Sequence, residues 1–529
     1  MSATTQQQTG WRRWAVAGTL FATLAGVAAC DSLLEVELPD AVTESALENP
    51  ETAALQVNSV MASVECAYST YALTSAGFED NFQRYSGVAG GYAFYEETYD
   101  GGQCDEDSYS NEWGDPLLLA RSQGYDVYDR ISNWTVQEVG SDREQLLAET
   151  ALYNAVSLNV FGDHFCEFAI DGGPLMTPDD VLTEADGWID TALGHIAATP
   201  MGDFAVQKEQ GTIAESAEQM AYGLRARILW AMGDLSGANT AAGQVDDGFV
   251  AHVLREPGED RRNMVSSMQG GGGGVQAAGH LQGVVKLKTN DNIYGISEIG
   301  DNPVTGAPWP DTIPFTGYRF LGIMPDGRAL DHSTQRPVRW AEEQRDSNGD
   351  PVPLANGAVE DTRIQHALGN TAGGPDEIIQ KYPNLDDDIP LVNWKEMRLI
   401  QAQYELEQGT AANAIGYIND VRDADGLPTI SGTYLTQLAA NPDQLEDAII
   451  EERRRALWLE GRFWTTKTLN PGKLWFPRNV GQWVNQSATD QLNGGVRMLM
   501  PDDEYQINQN MTLADRGTGC PAAQAPVFN

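Results

Sequence analysis

Residues 217–245 read AEQMAYGLRARILWAMGDLSGANTAAGQV, and residues 394–422 read WKEMRLIQAQYELEQGTAANAIGYINDVR. Each stretch predicts a helix that ends at a glycine, followed at once by a capping residue that begins a second helix. When the stretches are aligned on Gly233 and Gly409, both have alanine seven residues before and five residues after the glycine, and valine twelve residues after it. Small residues at fixed positions let antiparallel helices approach closely, which is typical of a tetratricopeptide hairpin. The repeat therefore predicts a mainly α fold of stacked helix pairs.

Further helices are predicted on both sides of the repeat, each bounded by a proline, a capping residue or a glycine. They lie at residues 50–71, 117–131, 143–161, 177–198 and 443–463. In the last of these, oppositely charged residues three and four apart between Glu451 and Arg462 predict a solvated helix face. The inward face is predicted to carry Ile449, Ile450, Ala456, Leu457 and Leu459.

The segment between the two repeats, residues 248–390, differs in character. It contains a run of five glycines and many prolines, and short strands are predicted only at 282–288 and 317–323. A stretch this long without regular structure is usually functional or partly disordered. We predict that it is a loop-rich insert facing a ligand, between an N-terminal helical repeat region, 50–247, and a C-terminal part, 391–529, with a helix pair, a long helix and a tail.

The N-terminus has the pattern of an export signal. Two arginines precede an apolar stretch, residues 14–29, which ends in small residues directly before Cys30. The stretch is shorter than the ~20 residues of a membrane span, and the cysteine supplies a thiol for acylation. We predict a lipoprotein signal peptide at 1–29, lipid attachment at Cys30, and an extended tether at 30–49. An ordinary signal peptide followed by an incidental cysteine is the alternative.

The chain is strongly acidic, with 76 aspartates and glutamates against 33 lysines and arginines and a formal charge of −43. Removal of the two arginines of the signal leaves −45. Binding to a phosphate backbone needs clustered lysine and arginine, so the composition argues against nucleic acid as a partner.

Four cysteines follow the predicted lipid attachment site, and an even number permits two disulfides or four buried thiols. Alternating helices in a stack place the ends of the first and third helices on the same side. This predicts a Cys66–Cys166 disulfide, and a Cys104–Cys520 disulfide follows by elimination. The spacings do not match a zinc site, and no metal is predicted.

No catalytic residue and no cofactor is predicted, because the chain has no nucleophile elbow, no zinc-protease helix and no phosphate-binding loop. Aromatic side chains are the best ligand candidates, since sugar rings present apolar faces that stack on them. We predict that Trp309, Tyr318 and Trp340 of the insert bind ligand, in preference to any residue of the repeats. Further candidates are Phe320 and, in the loop after the first helix, Tyr85, Tyr92, Tyr95 and Tyr99. Packing of these aromatics against the scaffold is the alternative.

Several motifs occur in a fixed order along the chain: LLEVELPDAVT at 33–43, Phe161-Gly162-Asp163, Lys381-Tyr382, DIPLVNWKEMRLI at 388–400, ERRRALWLEGR at 452–462, and Leu499-Met500-Pro501 followed by Glu504 and Asn508. With them the chain resembles the SusD/RagB-like nutrient-uptake outer-membrane lipoprotein family, over nearly its whole mature length. The tail Gly519-Cys520-Pro521 departs from the pattern.

The resemblance implies a tetratricopeptide-like helix-pair scaffold with a less regular ligand-facing part. It further implies an outer-membrane, lipid-anchored protein facing the cell surface. Such a protein binds a small or oligomeric nutrient, glycan or peptide-like, and delivers it to a SusC-like TonB-dependent transporter without cleaving it. A lipid-anchored helical-repeat scaffold for protein–protein interaction is the alternative function, and a hydrolase is the less favoured one.

Overall fold

The structure is a computed structural model that describes residues 44–78, 82–84, 114–258, 261–269, 275–277, 322–328, 357–364, 366–371, 374–379, 381–470, 497, 500 and 502–515. The chain divides into one unit that ends at Thr52 and a second that begins at Ala53. In the first, a short helix α1 (Glu44–Leu47) is followed by a 3-10 turn (Pro50–Thr52), and the Thr52 hydroxyl donates to the Ala46 carbonyl at 3.0 Å.

The second unit is mainly helical, which confirms the predicted fold class. Its helices are α2 (Ala53–Phe78), α3 (Gly114–Asn133), α4 (Val136–Val139), α5 (Arg143–His164), α6 (Pro178–Ala198), α7 (Ala217–Ala231), α8 (Leu235–Ala242), α9 (Met264–Gln269), α10 (Trp394–Gln408), α11 (Ala411–Ala424), α12 (Gly432–Ala439), α13 (Pro442–Ala456), α14 (Phe463–Leu469) and α15 (Asp502–Ile507). Among the described helices, none is both long and apolar enough to cross a membrane.

Short strands accompany the helices and form antiparallel pairs. They are β1 (Phe82–Arg84), β2 (Val206–Lys208), β3 (Gly211–Ala214), β4 (Val250–Val253), β5 (Val275–Ala277), β6 (Gly322–Ile323), β7 (Val359–Glu360), β8 (His366–Thr371), β9 (Gly374–Ile379) and β10 (Ile389–Asn393). The pairs are β1 with β5, β2 with β3, β4 with β10, β6 with β7, and β8 with β9. Of the two predicted strands, 282–288 lies outside the described residues, and the end of 317–323 is observed as β6.

Helix α5 lies at the centre of the larger hydrophobic core, and its residues from Leu146 to His164 are buried. Helices α2, α3, α6 and α7 pack against it. A Cβ atom at Gly162 would lie 2.7 Å from the Leu182 side chain, so α6 approaches the α5 backbone directly. Helix α6 begins as its sequence predicts, with Thr177 accepting a hydrogen bond from the Asp180 amide and Pro178 in the first turn.

The two sequence repeats are both helix hairpins, as predicted. Gly233 has a φ of +80° between α7 and α8, and the Asp234 side chain caps α8 by accepting from the Gly237 amide at 2.9 Å. Between α10 and α11, Thr410 caps in the same way, accepting from the Asn413 amide at 3.2 Å. Helix α10 packs against both α7 and α8, so the two hairpins are neighbours in space although the insert separates them in sequence.

Strands β4 and β10 hold the two ends of the insert together. Val253 is opposite Ile389 in this antiparallel pair, and the Trp394 amide donates to the Phe249 carbonyl at 3.0 Å. A Cβ atom at Gly223 would lie 2.3 Å from a Val392 methyl carbon, so β10 rests on the backbone of α7. The chain therefore leaves and rejoins the helical scaffold at adjacent points.

The predicted Cys66–Cys166 disulfide is wrong. Cys66 keeps its thiol, and Cys166 is disulfide-bonded elsewhere. Helix α2 continues well past the predicted end at residue 71, which puts Cys66 in its middle; the neighbouring Glu65 accepts from Tyr153 halfway along α5. Cys166 follows the end of α5, at least about 15 Å further along the helix axis, beyond the ~7 Å Cα separation of a disulfide. The predicted Cys104–Cys520 pair lies outside the described residues.

Candidate functional site

The strongest sequence motif, residues 452–462, forms the end of α13 and the turn that follows. All eleven residues are buried, so the predicted solvated helix face is wrong. The charges are buried because partners of opposite sign reach them from other elements, at Asp361, Glu396 and Lys381. This buried polar centre joins the helical scaffold to the insert.

The turn at residues 458–461 is held by side chains from two distant parts of the chain. Its backbone is unusual, because Leu459 and Gly461 both have positive φ, at +61° and +67°. Each of its four carbonyl oxygens accepts a hydrogen bond: Trp458 from Lys381 Nζ, Leu459 from the Tyr382 hydroxyl (3.3 Å), Glu460 from the Tyr68 hydroxyl (3.1 Å) and Gly461 from the Tyr71 hydroxyl (3.1 Å). A buried turn has no water to satisfy its carbonyls, so these four donors make its burial possible.

Glu396 of α10 is the centre of one buried ion cluster. Its carboxylate accepts from Arg227 of α7 at 2.6 and 3.0 Å and from Arg453 of α13 at 2.5 Å. The Arg453 guanidinium also lies 3.8 Å from the centre of the Trp230 ring. Burial opposes ionisation of Glu396, but the two arginines outweigh it and lower its pKa to about 2. The cluster ties α7 and α10, one helix from each repeat, to α13.

A second buried ion cluster brings a segment of the insert onto α13. Asp361 accepts from Arg363, at 2.8 and 2.9 Å, and from Arg455 of α13 at 2.8 Å. Arg363 in turn donates to Glu452, which also accepts from Arg422 of α11 at 2.9 Å. Although burial opposes ionisation of Asp361, its two arginines hold its pKa well below the usual range. The carboxylates therefore stay charged and paired.

The buried histidine beside this centre, His164, also has a structural role. His164, at the end of α5, has Nε2 2.9 Å from the Tyr71 hydroxyl and Nδ1 3.0 Å from the Val160 carbonyl. Burial lowers the pKa of His164 well below its usual value, so it is neutral near pH 7. Its ring is enclosed, with the residue 1% exposed. The buried polar centre therefore has a structural role: it holds the helices and the insert together.

The residues predicted as sites lie elsewhere in the chain. Lipid attachment at Cys30 and the ligand candidates Trp309, Tyr318 and Trp340 lie outside the described residues. The same holds for Phe320 and for the aromatics Tyr85, Tyr92, Tyr95 and Tyr99 of the loop after α2.

Strand pairing nevertheless joins the two regions that carry these aromatics. Strand β1 ends at Arg84, directly before Tyr85, and it pairs with β5 of the insert in the register Phe82 to Ala277 and Arg84 to Val275. Strand β5 also contacts β9. Strand β1, which follows α2, and strand β5 of the insert are therefore neighbours in space. This strand pairing could not be predicted from the sequence, because three-residue strands carry almost no periodic signal.

A half-buried aromatic cluster between α3 and α6 was also missed. Trp188 Nε1 donates to the Tyr125 hydroxyl at 2.8 Å, and the Tyr128 ring stands edge-on to Trp188 at 4.9 Å. The Tyr128 hydroxyl lies 2.8 Å from His195 Nε2, and His195 Nδ1 lies 2.7 Å from Glu144. Burial raises the pKa of Tyr125 to about 12. The spacing of Tyr125 and Tyr128, three apart on one helix face, was the available signal.

Comparisons with known proteins bear on the fold. No family model matches the chain. A curated SusD-like protein of Formosa agariphila is 38% identical over 85 residues, which are 16% of this chain and only 17% of that relative. Two solved SusD superfamily proteins of Bacteroides fragilis have TM-scores of 0.52; at 11% and 13% identity they cover 88% and 89% of this chain and 99% and 98% of their own. The chain has the SusD fold, and the resemblance inferred from its motifs is confirmed.

Proposed function

We propose that this chain is a lipid-anchored protein of the outer membrane that binds a nutrient and delivers it to a SusC-like TonB-dependent transporter, without catalysis. The lipid anchor would be Cys30, and the nutrient would be a glycan or a peptide-like molecule. The observation that carries the proposal is the SusD fold, shared with relatives that align over nearly their whole length.

We propose that the loop after α2 and the insert bind the ligand together. The pairing of β1 with β5 supports a single surface built from both regions. These regions contain Trp309, Tyr318 and Trp340. Stacking on their rings needs no charge on the ligand, which suits a chain whose formal charge of −43 repels anions.

A binding role without catalysis agrees with the chemistry of the described polar centre. Glu396, Asp361 and Glu452 are each held by two arginines and enclosed in the core. A general acid or base must reach the substrate and exchange a proton with it near the working pH. Carboxylates buried and paired in this way meet neither condition.

The ligand proposal is tested with residues 31–529, which lack the predicted signal and lipid site. Electrophoresis in gels that contain laminarin, starch or xylan, and calorimetry with a peptide digest, should identify a retarding or binding ligand. Alanine at Trp309, Tyr318 or Trp340 should weaken that binding about tenfold or more with an unchanged melting temperature. Trp188→Ala, in the aromatic cluster of the helical part, is the control and should bind normally.

Three outcomes would contradict the ligand proposal. If all three alanine variants melt earlier and none binds more weakly, these aromatics serve packing. If products accumulate when the protein is incubated with the ligand, it is a hydrolase. A protein scaffold would bind partner proteins and none of the polysaccharides or peptides.

The transporter proposal is tested with the full chain in mild detergent. Affinity purification should recover a large β-barrel protein, identified as a TonB-dependent transporter by mass spectrometry, because a permanent lidding contact should bury on the order of 2,000 Å² or more. Repeated recovery of the lipoprotein alone from membranes that contain the transporter would contradict delivery to it.

A further inference from the structure

Two described parts of the insert, residues 322–328 and 357–364, form what we call the docking segment. They pair through β6 and β7, with Gly322 opposite Glu360 and Ile323 opposite Val359. The segment rests on the chain between α11 and α12, where the Ser431 amide donates to the Asp326 carbonyl at 3.0 Å.

The fit between the docking segment and the scaffold is close. A Cβ atom at Gly327, whose φ is +83°, would lie 2.6 Å from the backbone of Thr429 and Ile430. Arg422 of α11 donates to the Gly327 carbonyl at 2.5 Å. The segment therefore lies on a preformed surface of the C-terminal helices.

The charges at this contact are already paired on each side. Within the docking segment, Arg363 and Asp361 form a two-pronged ion pair at 2.8 and 2.9 Å. Within the scaffold, Arg422 pairs with Glu452 at 2.9 Å, and Arg455 pairs with Glu451 at 2.6 Å. Among the ion pairs of the described residues, two cross the contact, from Arg363 to Glu452 and from Arg455 to Asp361.

The ion pairs at the docking contact differ from the ion cluster around Glu396. The Glu396 cluster joins three different helices through Arg227, Glu396 and Arg453. Separating α13 from α10 would therefore leave a buried charge without its partner. Leaving one buried charge without its partner is strongly destabilising. Separation of the docking segment leaves a complete ion pair on the segment and two complete pairs on the scaffold. Separation at this contact therefore leaves no buried charge without its partner.

We propose that the docking segment is a reversible contact, which leaves the helical scaffold and returns to it while the scaffold stays folded. The contact does not depend on a ligand. Its consequence for binding rests on the proposed function: a docking segment that detaches can change its position relative to the scaffold when a nutrient binds, while the pairing of β4 with β10 keeps the ends of the insert attached.

Native-state hydrogen exchange with mass spectrometry tests the proposal. In the unmodified protein, amides of 322–328 and 357–364 should open at least tenfold more often than those of α7 and α10, with little dependence on denaturant. The double variant Asp361→Asn with Arg363→Gln removes the segment's own pair and the two ion pairs that cross the contact, and it leaves both scaffold pairs. It should accelerate exchange in the docking segment at least a further tenfold and leave α7 and α10 within twofold of normal.

The matched control is Asp326→Asn, which removes an ion pair of the same composition from the same segment and leaves the Arg328 guanidinium over the Tyr434 ring of α12, at 5.9 Å. The Arg328 side chain is 53% exposed, so exchange should not change. Glu396→Gln should accelerate exchange throughout the helices. Equal acceleration of the docking segment and of α10 in the Asp361–Arg363 variant would overturn the proposal, as would equal opening of the two in the unmodified protein. Neither result alters the ligand or transporter tests.

Discussion

We expect the stability of this protein to depend on pH through the buried side chain of Glu149. Glu149 lies on the central helix α5 and is 4% exposed, and its carboxyl accepts one hydrogen bond, at 3.0 Å, from Gln145 four residues earlier. Burial raises the pKa of Glu149 from 4.5 to about 7, and the charge of Asp142 adds to the rise. A neutral isostere, Glu149→Gln, should therefore relieve a cost that the native carboxylate carries.

The sign and size of the effect follow from proton linkage. Below about pH 4.5 the carboxyl is protonated in the folded and unfolded states alike, and it costs nothing. As the pH rises to about 7, the unfolded chain ionises first and the free energy of unfolding falls. Above about pH 7 the free energy of unfolding levels off about 3 kcal/mol below its value near pH 4, since each tenfold change in proton affinity is worth about 1.4 kcal/mol. Glu149→Gln should match the unmodified protein near pH 4 and exceed it by up to about 3 kcal/mol near pH 8.

Urea unfolding, followed by tryptophan fluorescence between about pH 4 and pH 8, measures this difference. The matched control is Glu407→Gln on α10, where an exposed glutamate accepts from Gln403 with the same four-residue spacing, at 3.3 Å. That variant should show no gain at any pH. A gain for Glu149→Gln that is the same at pH 4 and pH 8, or no gain at pH 8, would refute the reasoning.

Three further substitutions test other parts of the argument. Gly461→Ala should destabilise the protein by at least about 2 kcal/mol more than Gly426→Ala: both glycines have a φ of +67°, but the new Cβ would lie 2.7 Å from the Tyr71 ring at the first and meet nothing within 4 Å at the second. Glu396→Gln should lower the free energy of unfolding by about 3–5 kcal/mol in chemical denaturation, because it leaves two buried arginines without an anion. Cys30→Ser should abolish incorporation of labelled lipid, and equal labelling of this variant would refute lipidation at that residue.

The helix hairpins could be predicted because their signals are local. A glycine with positive φ and a capping side chain act within one turn of the chain, so Gly233 with Asp234 could be read without knowing the fold. The packing of α10 against α7 and α8 also follows once the two hairpins are recognised as repeats. By contrast, the length of α2 was underestimated, since no proline or glycine marks its end near residue 71. That error alone misplaced Cys66 and produced the wrong disulfide.

The buried charges could not be predicted from local pattern. Glutamate and arginine four residues apart have the same spacing on a solvated helix and in α13. Whether such a helix is solvated or buried depends on whether other elements bring partners of opposite sign to its charges. Here those partners are Glu396 and Asp361, which are 57 and 94 residues from their arginines. Proximity of this kind is a property of the fold.

One signal was nevertheless present in the composition. A chain with 76 acidic and 33 basic residues should present mainly acidic side chains to solvent, because arginine is scarce and carboxylates are abundant. Three consecutive arginines, Arg453 to Arg455, are therefore not expected on a solvated helix of this protein. Each instead faces a buried carboxylate, of Glu396 or Glu451. In this strongly acidic chain, the arginine cluster at residues 453–455 lies in the buried ion centre where the insert contacts the scaffold.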